Sequence, residues 1–392
     1  MKEIYMDHAA TTYVKPQVLS AMLPCFGEIY GNPSSIYTTG QRAHSVIDDA
    51  RERVAKCLGA TAREIYFTGC GTESDNWAIR GTACAKRNAG NHIISSAIEH
   101  HAVLHTLQQL EKEGFAVTYI QPDDQGIIHA ADVQAAITDK TILITIMYAN
   151  NEIGTIQPIA EIGKIAKENK ILFHTDAVQA VGAIEVNVKG LQVDMLSVSA
   201  HKFYGPKGVG ALYIRNGVRP QIFMQGGGQE RGRRGGTENV PGIAGMARAL
   251  ELAVANMEQS AEKLKTMRDH LMHRILTEIP YTRLNGHAEN RLPNNVNISF
   301  RFIEGESLLL MLDINGIAAS SGSACTSGSL DPSHVLLAIG LPHEIAHGSL
   351  RLSLGDDNTI EQCDHVVETL KTVVLRLRKM SPLYENLEQE GQ

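Results

Sequence analysis

Between about residues 60 and 215, short apolar runs alternate with longer stretches that have the spacing of helices. The strand candidates are residues 65–68, 92–96, 117–120, 142–147, 171–175, 195–199 and 210–214. Most of these runs are continuously apolar, which is typical of strands that are covered on both faces. Helices are predicted between them at residues 73–87, 103–113 and 159–169. The alternation predicts an α/β fold built from βαβ units.

A glycine-rich, basic segment at residues 226–237 interrupts this pattern. A long helical region is predicted from Pro241 to about Ile279. After it, the predicted strands 296–300 and 350–354 mix with the predicted helices 306–312 and 359–380. A chain of 392 residues is long enough for two or three domains. We expect a large domain over residues 14–258 and a smaller α+β domain over residues 259–392, with residues 1–13 packing on the smaller one.

Composition and charge exclude several classes of protein. A net charge of -7 provides no general attraction to nucleic acid or to an anionic membrane surface. No apolar run approaches the roughly 18 residues that span a bilayer. The segment Met1–His8 lacks the apolar core of a signal peptide, so we expect a cytoplasmic protein. The six cysteines show no paired spacing, which favours a reactive thiol over disulfides or a zinc site.

A lysine and an aspartate follow two consecutive strand candidates. Lys202 follows the strand 195–199, where burial would favour the neutral amine that forms a Schiff base with an aldehyde cofactor. Asp176 lies at the carboxyl end of the preceding strand, the edge at which ligands bind in open α/β sheets. There it could keep a pyridine nitrogen protonated. A solvent-exposed lysine and a helix-capping aspartate are the alternatives.

The segment Thr68–Ser74 places small and hydroxyl residues between a strand and a helix, as phosphate binding requires. It matches neither the dinucleotide-binding glycine pattern nor the Walker loop. A monophosphate cofactor such as pyridoxal phosphate is therefore predicted. The candidate phosphate ligands are Gly71, Thr72, Ser199 and His201.

Two other strand ends carry candidate ligands. His100 could stack on a flat ring, although a capping histidine is equally compatible with its position. The amides of Asn150 and Asn151 suit a ring hydroxyl or a substrate carboxylate, and a simple turn would have the same sequence.

The pattern His343-Glu344-Ile345-Ala346-His347 matches that of zinc proteases. Pro342 and Gly348 leave no room for the long helix that such a site needs. We therefore expect surface or packing histidines here, and no intrinsic metal site.

A stretch of small hydroxyl residues and glycines, 320–333, surrounds Cys325. Such residues cannot build a core, so the sequence predicts a mobile loop whose central thiol acts as a nucleophile. Arg351, in a predicted strand, could bind a substrate carboxylate through its two-pronged guanidinium, or it could be an ordinary surface arginine.

Together these residues resemble the class I cysteine desulfurases of the NifS/IscS type, over nearly the whole chain. The matching segments are Met6–Thr12, Gly31–Ser35, Thr72–Asn76, Asn150–Gly154, Ser199–Lys202, Gly226–Gly232 and Ser320–Ser329. Gly328 and the following Asp331–His334 favour the nitrogen-fixation branch of this family.

The resemblance implies a homodimer of the pyridoxal phosphate transferase fold type I, with a mostly parallel seven-stranded sheet in the large domain and a smaller α+β domain. Lys202 would form the imine with pyridoxal 5′-phosphate, Asp176 would pair with its ring nitrogen, and His100 would stack on its ring as a catalytic residue. The other implied cofactor ligands are Gly71, Thr72, Asn151, Gln179 (at the ring hydroxyl), Ser199, His201 and the Thr237 of the other subunit.

The resemblance also implies the reaction. Arg351 and Asn151 would bind the carboxylate of L-cysteine, and Cys325 would accept its sulfur as a persulfide, which leaves L-alanine. An iron–sulfur scaffold protein would then receive the sulfur, with Cys325 as a transient cluster ligand. The alternatives are a selenocysteine lyase, an aminotransferase, or a non-enzymatic metal-binding or thiol redox protein that uses Cys325 with His343 and His347.

Overall fold

The structure is a computed structural model that describes residues 3–321, 332–382 and 384. Cys325 and most of the predicted mobile loop around it lie outside the described residues.

The strands are numbered β1 to β12 and the α-helices α1 to α14 along the chain. The strands are β1 (Ile4–Tyr5), β2 (Ile65–Thr68), β3 (His92–Ser96), β4 (Ala116–Ile120), β5 (Thr141–Thr145), β6 (Leu172–Asp176), β7 (Met195–Ser199), β8 (Gly210–Ile214), β9 (Thr282–Leu284), β10 (Asn295–Phe300), β11 (Ile317–Ala318) and β12 (Ser349–Ser353). The helices are α1 (Pro16–Met22), α2 (Pro24–Gly27), α3 (Thr38–Leu58), α4 (Gly71–Lys86), α5 (His101–Lys112), α6 (Ala130–Ala135), α7 (Ile159–Glu168), α8 (Gln229–Gly232), α9 (Val240–Ala255), α10 (Met257–Glu278), α11 (Gly305–Ile314), α12 (His334–Ala338), α13 (His343–His347) and α14 (Ile360–Arg378). Short 3-10 helices cover Ala62–Glu64 and Ala200–Lys202.

Within the described ranges, the largest sheet has seven strands in the order β2-β8-β7-β6-β5-β3-β4. Only β8 runs against its neighbours, so the other six strands have their carboxyl ends at the same edge. Every residue of β3, β7 and β8 is buried, as expected for strands that helices cover on both faces. These findings confirm the predicted α/β fold with a mostly parallel seven-stranded sheet.

The chain order of the strands reverses between β3 and β5. After β3 the chain forms β4 at the outer edge, and then returns to place β5, β6 and β7 on the other side of β3. Such a reversal opens a crevice at the carboxyl ends of the strands, where ligands bind in sheets of this kind. The fold therefore presents one preferred place for a site.

A smaller antiparallel sheet, β12-β10-β9, lies in the C-terminal part of the chain. Strand β1 from the N-terminus pairs in parallel with β11. An apolar cluster separate from the main one joins side chains of residues 4–6 with those of residues 264–374. The cluster supports packing of the N-terminus on the C-terminal part, and the domain limits 14–258 and 259–392 remain our proposal.

Several helix ends follow from local sequence. Thr359 and Gln362 form a reciprocal capping box at the start of α14, and Asn239 caps α9 by accepting from the Gly242 N–H. Helix α3 ends at Gly59, whose φ of 70° is in the left-handed region that glycine adopts without strain. Such signals are local, and the helices predicted at residues 73–87, 103–113, 159–169, 306–312 and 359–380 all lie within two residues of the observed ends.

The predicted helical region from Pro241 to about Ile279 contains two helices. Helix α9 ends at Ala255 and α10 begins at Met257. The residue between them, Asn256, has a φ of -109° and a ψ of 7°, and its side-chain amide donates to the Leu252 carbonyl. Asparagine competes in this way with the helical backbone, which separates the two helices.

Among the described residues, the structure contains no helix that is both long and apolar enough to cross a membrane.

Candidate active site

A cavity of about 210 Å³ opens at the carboxyl edge of the main sheet. The segments that follow β2, β3, β5, β6 and β7 all contribute to its wall, and β12 of the small sheet closes one side. The predicted site residues that line this cavity are Gly71, Thr72, His100, Asn151, Asp176, Gln179, Ser199, His201, Lys202 and Arg351. The topology thus brings together side chains that are up to 280 positions apart in the chain.

The N-terminus of helix α4 forms one end of the cavity. A Cβ atom on Gly71 would lie 2.8 Å from Val178 Cγ2 and 3.3 Å from Ser199 Cβ, so only glycine fits here. The first N–H groups of a helix attract anions, and the hydroxyls of Thr72 and Ser199 lie at the same end. This end of the cavity has the chemistry of a phosphate site.

His201 lies beside this end. Its Nδ1 is 3.1 Å from Thr11 Oγ1. Burial, with the nearby cations of Lys202 and Lys207, lowers the pKa of His201 to about 4. The ring is therefore neutral near pH 7 and contacts the cavity as a hydrogen-bonding group.

Lys202 follows β7 at the end of a short 3-10 helix. Its Nζ donates to the backbone carbonyls of Ala9 and Ala10, at 2.6 and 2.8 Å. The Ala9 carbonyl also accepts from Gln179 Nε2 at 2.9 Å. The N-terminal segment therefore positions two of the predicted cofactor ligands, a contact that the sequence pattern does not indicate.

Asp176 is the last residue of β6 and is only 6% exposed. Its Oδ1 accepts from the Val178 N–H at 2.9 Å, so it caps the following turn as well as facing the cavity. Burial raises the pKa of Asp176 to about 6, although the Val178 N–H and Lys202 both favour the ionised form. A positively charged ligand at this point would stabilise the carboxylate.

His100 is the N-cap of helix α5. Its Nδ1 accepts from the Ala102 N–H at 3.1 Å, and its ring lines the cavity. The capping interpretation is therefore confirmed, and stacking on a flat ring stays a prediction that the position of His100 at the cavity allows. Burial, and next the charge of Lys202, lower the pKa of His100 to about 4, which keeps the ring neutral at physiological pH.

Arg351 lies in β12 and is 2% exposed, so the interpretation as a surface arginine is wrong. Its Nη1 donates to the Asn151 carbonyl and its Nη2 to Asp7 Oδ1, both at 2.9 Å. Its Nε is buried and has no hydrogen-bond partner in the described part of the chain. A buried cation at the cavity wall is suited to a carboxylate ligand.

Three buried carboxyl groups near the cavity were not predicted as site residues. They are Asp75, Glu99 and Glu152. Burial raises the pKa of each, to about 8 for Glu99 and about 7 for Glu152. The spacing of the sequence could have predicted the burial of Asp75, because Asp75 lies on the same helix face as the buried Gly71 and Ala78. No comparable signal existed for Glu99 and Glu152, whose burial depends on tertiary packing.

We expect Glu99→Gln to flatten the pH dependence of stability in the cofactor-free protein. The folded state raises the pKa of Glu99 from 4.5 to about 8, chiefly because the group is buried. The folded state therefore binds the proton more tightly than the unfolded chain, and stability falls as pH rises from about 5 to about 8. The glutamine keeps an oxygen for the Met147 N–H that Glu99 Oε1 now accepts at 3.0 Å. Urea unfolding at several pH values measures the effect.

Glu113→Gln is the control, because Glu113 is at the surface and Arg80 holds its pKa below the ordinary value. This variant should not reduce the loss of stability toward high pH. An equal slope in wild type and Glu99→Gln would contradict the assignment of a proton to Glu99.

Two groups of predicted residues lie away from the cavity. Thr237 is exposed and is not among the described residues that line it. His343 and His347 are exposed on α13, a helix of five residues, with ring centroids 6.4 Å apart. The short helix and the surface position of these histidines were predicted.

The chain matches the family model described as aminotransferase class-V over residues 4–366. It is 58% identical over 387 residues to a protein of Clostridium botulinum (strain Hall) named cysteine desulfurase IscS, and the match covers 98% of each chain.

Two solved structures are also similar. One, described as a NifS-like protein, has a TM-score of 0.90 and 40% identity, and the match covers 96% of this chain and 100% of that one. The other, described as SspA in complex with cysteine, has a TM-score of 0.79 and 38% identity, with coverage of 90% and 98%. On these matches the chain belongs to the aminotransferase class-V family and, within it, to the group of the IscS and NifS-like proteins.

Proposed function

We propose that this protein is a pyridoxal phosphate-dependent cysteine desulfurase, which converts L-cysteine to L-alanine and carries the released sulfur as a persulfide on Cys325. The observation that supports this most strongly is that Lys202, Asp176 and Arg351 line a single cavity. The Lys202 amine suits the aldehyde of the cofactor. The buried Asp176 carboxylate suits its ring nitrogen, and the buried Arg351 guanidinium suits the carboxylate of the substrate. The relative named cysteine desulfurase IscS and the structure described with cysteine support the choice of substrate.

The residues of the cavity fit pyridoxal 5′-phosphate. The start of α4, with Gly71, Thr72 and Ser199, would hold the phosphate, and His201 would support it. His100 would lie against the ring, Asp176 at the ring nitrogen, and Gln179 and Asn151 near the ring hydroxyl. When bound, the cofactor accepts electron density from the substrate α carbon.

The protein's own residues would perform the remaining steps. Arg351 and Asn151 would hold the substrate carboxylate, and Asp176 would place a negative charge beside the ring nitrogen. The Lys202 amine would move the proton from the substrate α carbon. The neutral ring of His100 would pack against the cofactor without adding charge.

Sulfur transfer requires the Cys325 thiolate. A bond forms between the Cys325 sulfur and the substrate sulfur while the substrate carbon–sulfur bond breaks. The electron pair of the broken bond stays with the β carbon of the substrate. This carbon takes up a proton and becomes the methyl group of L-alanine. The protein retains the persulfide, whose outer sulfur an acceptor thiol can attack. We propose an iron–sulfur scaffold protein as the acceptor, with nitrogenase clusters as one destination.

We also propose that the protein is a homodimer. Thr237, the family's phosphate ligand from the other subunit, is exposed here. Exposed apolar side chains also concentrate between residues 19 and 37: Leu19, Leu23, Phe26, Tyr30, Ile36 and Tyr37. Exposed apolar side chains of this size are typical of a protein–protein interface. The cytoplasmic location remains a prediction.

The variant Cys325→Ala tests the proposed reaction. We expect it to lose sulfide release from L-cysteine in the presence of a reductant, because no thiol remains to accept the sulfur. The visible absorbance of the bound cofactor should remain, since the cysteine is not a cofactor ligand. Sulfide and L-alanine are both measured.

Cys84→Ala is the matched control, because Cys84 is a free, exposed thiol on α4 that does not line the cavity. It should keep full activity. If Cys325→Ala released sulfide at the wild-type rate, the persulfide step would be wrong. If wild-type protein formed pyruvate or an α-keto acid instead of L-alanine, the protein would be a lyase or an aminotransferase.

A further inference from the structure

Asp7 forms an ion pair with Arg351 at the edge of the cavity. Asp7 Oδ1 accepts from Arg351 Nη2 at 2.9 Å, and the two side chains are 17% and 2% exposed. The pair joins the N-terminal segment to a strand that is more than 340 residues away in sequence. The low exposure means that the interaction is poorly screened by solvent and salt.

The backbone holds Asp7 in place beside β12. Ser353 N donates to the Met6 carbonyl at 2.7 Å, and His8 N donates to the Ser353 carbonyl at 3.2 Å. Asp7 itself forms a parallel bridge with Ser353, two residues beyond Arg351 in the same strand. The carboxylate therefore has a fixed position relative to the guanidinium.

The hydrogen bonds of Arg351 leave N–H groups for a ligand, because each terminal nitrogen of a guanidinium carries two hydrogens. The Asn151 carbonyl accepts from Nη1 and Asp7 accepts from Nη2, and these are the two side-chain hydrogen bonds of Arg351 among the residues that the structure describes. A buried N–H without a partner is destabilising until an acceptor reaches it. Arg351 lines the cavity, so a carboxylate inside the cavity is such an acceptor.

We propose that Asp7 is a positioning residue that orients Arg351 so that its guanidinium receives the substrate carboxylate. Asp7 acts through Arg351, because it is not among the described residues that line the cavity. The nearby acid Glu152 has a different role, since its Oε2 accepts from the Ser333 hydroxyl. The inference rests on the proposed function, in which the substrate is an amino acid.

Two variants separate position from charge. Asp7→Asn keeps an oxygen that can accept from Nη2 but removes the charge, and Asp7→Ala removes both. With loaded enzyme, we expect Asp7→Ala to raise the KM for L-cysteine on the order of tenfold to a hundredfold, with kcat unchanged, because a charged hydrogen bond is lost. Asp7→Asn should retain most of the wild-type KM.

A binding measurement separates failure of this inference from failure of the proposed function. L-Alanine has the same carboxylate and no sulfur, and its Kd can be measured from the change in cofactor absorbance without turnover. Asp7→Ala should weaken L-alanine binding by the same factor as it raises KM. Asp356→Ala is the control, because Asp356 pairs with Lys15 and does not line the cavity; it should change neither value.

Three results would overturn the inference. An unchanged KM and L-alanine Kd in Asp7→Ala would mean that Arg351 needs no partner. An equal loss of affinity in Asp7→Asn and Asp7→Ala would mean that the charge of Asp7 matters and that its orientation of Arg351 does not. A fall in Tm and kcat with constant KM would mean that Asp7 only stabilises the fold. If wild-type protein bound L-alanine but released no sulfide from L-cysteine, the proposed function would fail while Asp7 remained testable.

Discussion

Replacing Lys202 with alanine is expected to reduce sulfide release from L-cysteine at least about a thousandfold, because one side chain would supply both the covalent link to the cofactor and the proton transfer. Its Nζ lies at the cavity wall, where the Ala9 and Ala10 carbonyls hold it at 2.6 and 2.8 Å. The alanine side chain can neither form an imine nor move a proton. The cofactor should then bind only through non-covalent contacts and should be lost during dialysis.

Borohydride reduction followed by peptide mapping measures the covalent link directly. In wild-type protein the cofactor should be found on Lys202 and in the variant on no lysine. Lys207→Ala is the matched control, because Lys207 is exposed, close in sequence and bonded only weakly to the Thr12 carbonyl at 3.4 Å. This control should keep the cofactor and the activity. Cofactor fixed to another lysine of active wild-type protein would refute the whole assignment.

The central sheet was predictable because its strands are buried on both faces. The segment of β7 contains no charged residue and all five of its residues, including Ser197 and Ser199, are buried, and its predicted range 195–199 coincides with the observed one. Residues that follow such strands converge at one edge whatever the details of packing. This is why Lys202, Asp176 and His100 could be assigned to one site before the structure was known.

The environment of these residues was not predictable. Arg351 is buried because Asp7, from the opposite end of the chain, pairs with it. The sequence contains both residues but no periodicity that links them. The same holds for Glu99, whose Oε1 accepts from the Met147 N–H on the neighbouring strand end. Contacts between distant segments decide which polar groups are buried, and local patterns do not report on them.

Replacing Asp176 with asparagine is expected to lower activity on the order of a hundredfold to a thousandfold, as does the loss of other preorganised charges in active sites. The carboxylate lies at the end of β6, where Oδ1 is already fixed by the Val178 N–H. Asparagine can keep that hydrogen bond, so the fold of the turn should persist. It cannot hold a proton on the ring nitrogen, so negative charge at the substrate α carbon would lose its stabilisation.

The pH dependence of cofactor affinity gives a second measurement for Asp176→Asn. In the free protein, burial raises the pKa of Asp176 to about 6. Below that pH the carboxyl takes up a proton and no longer attracts the protonated ring, so wild-type affinity should weaken as the pH falls. Asparagine does not titrate, so the variant should bind weakly and should keep only the pH dependence that comes from the phosphate of the probe. Pyridoxine 5′-phosphate is the probe, because it has no aldehyde and its binding does not depend on an imine.

The control for this variant is Asp194→Asn. Asp194 is also buried, but it lies at the opposite edge of the same strands, where its Oδ2 accepts from the Phe173 N–H and its Oδ1 pairs with Arg215. Loss of a buried charge there should leave both the affinity for pyridoxine 5′-phosphate and its pH dependence unchanged. If the two variants weakened binding equally, the effect would come from general destabilisation of the sheet. If Asp176→Asn kept the wild-type pH dependence, another acid of the cavity, such as Asp75, would be the partner of the ring nitrogen.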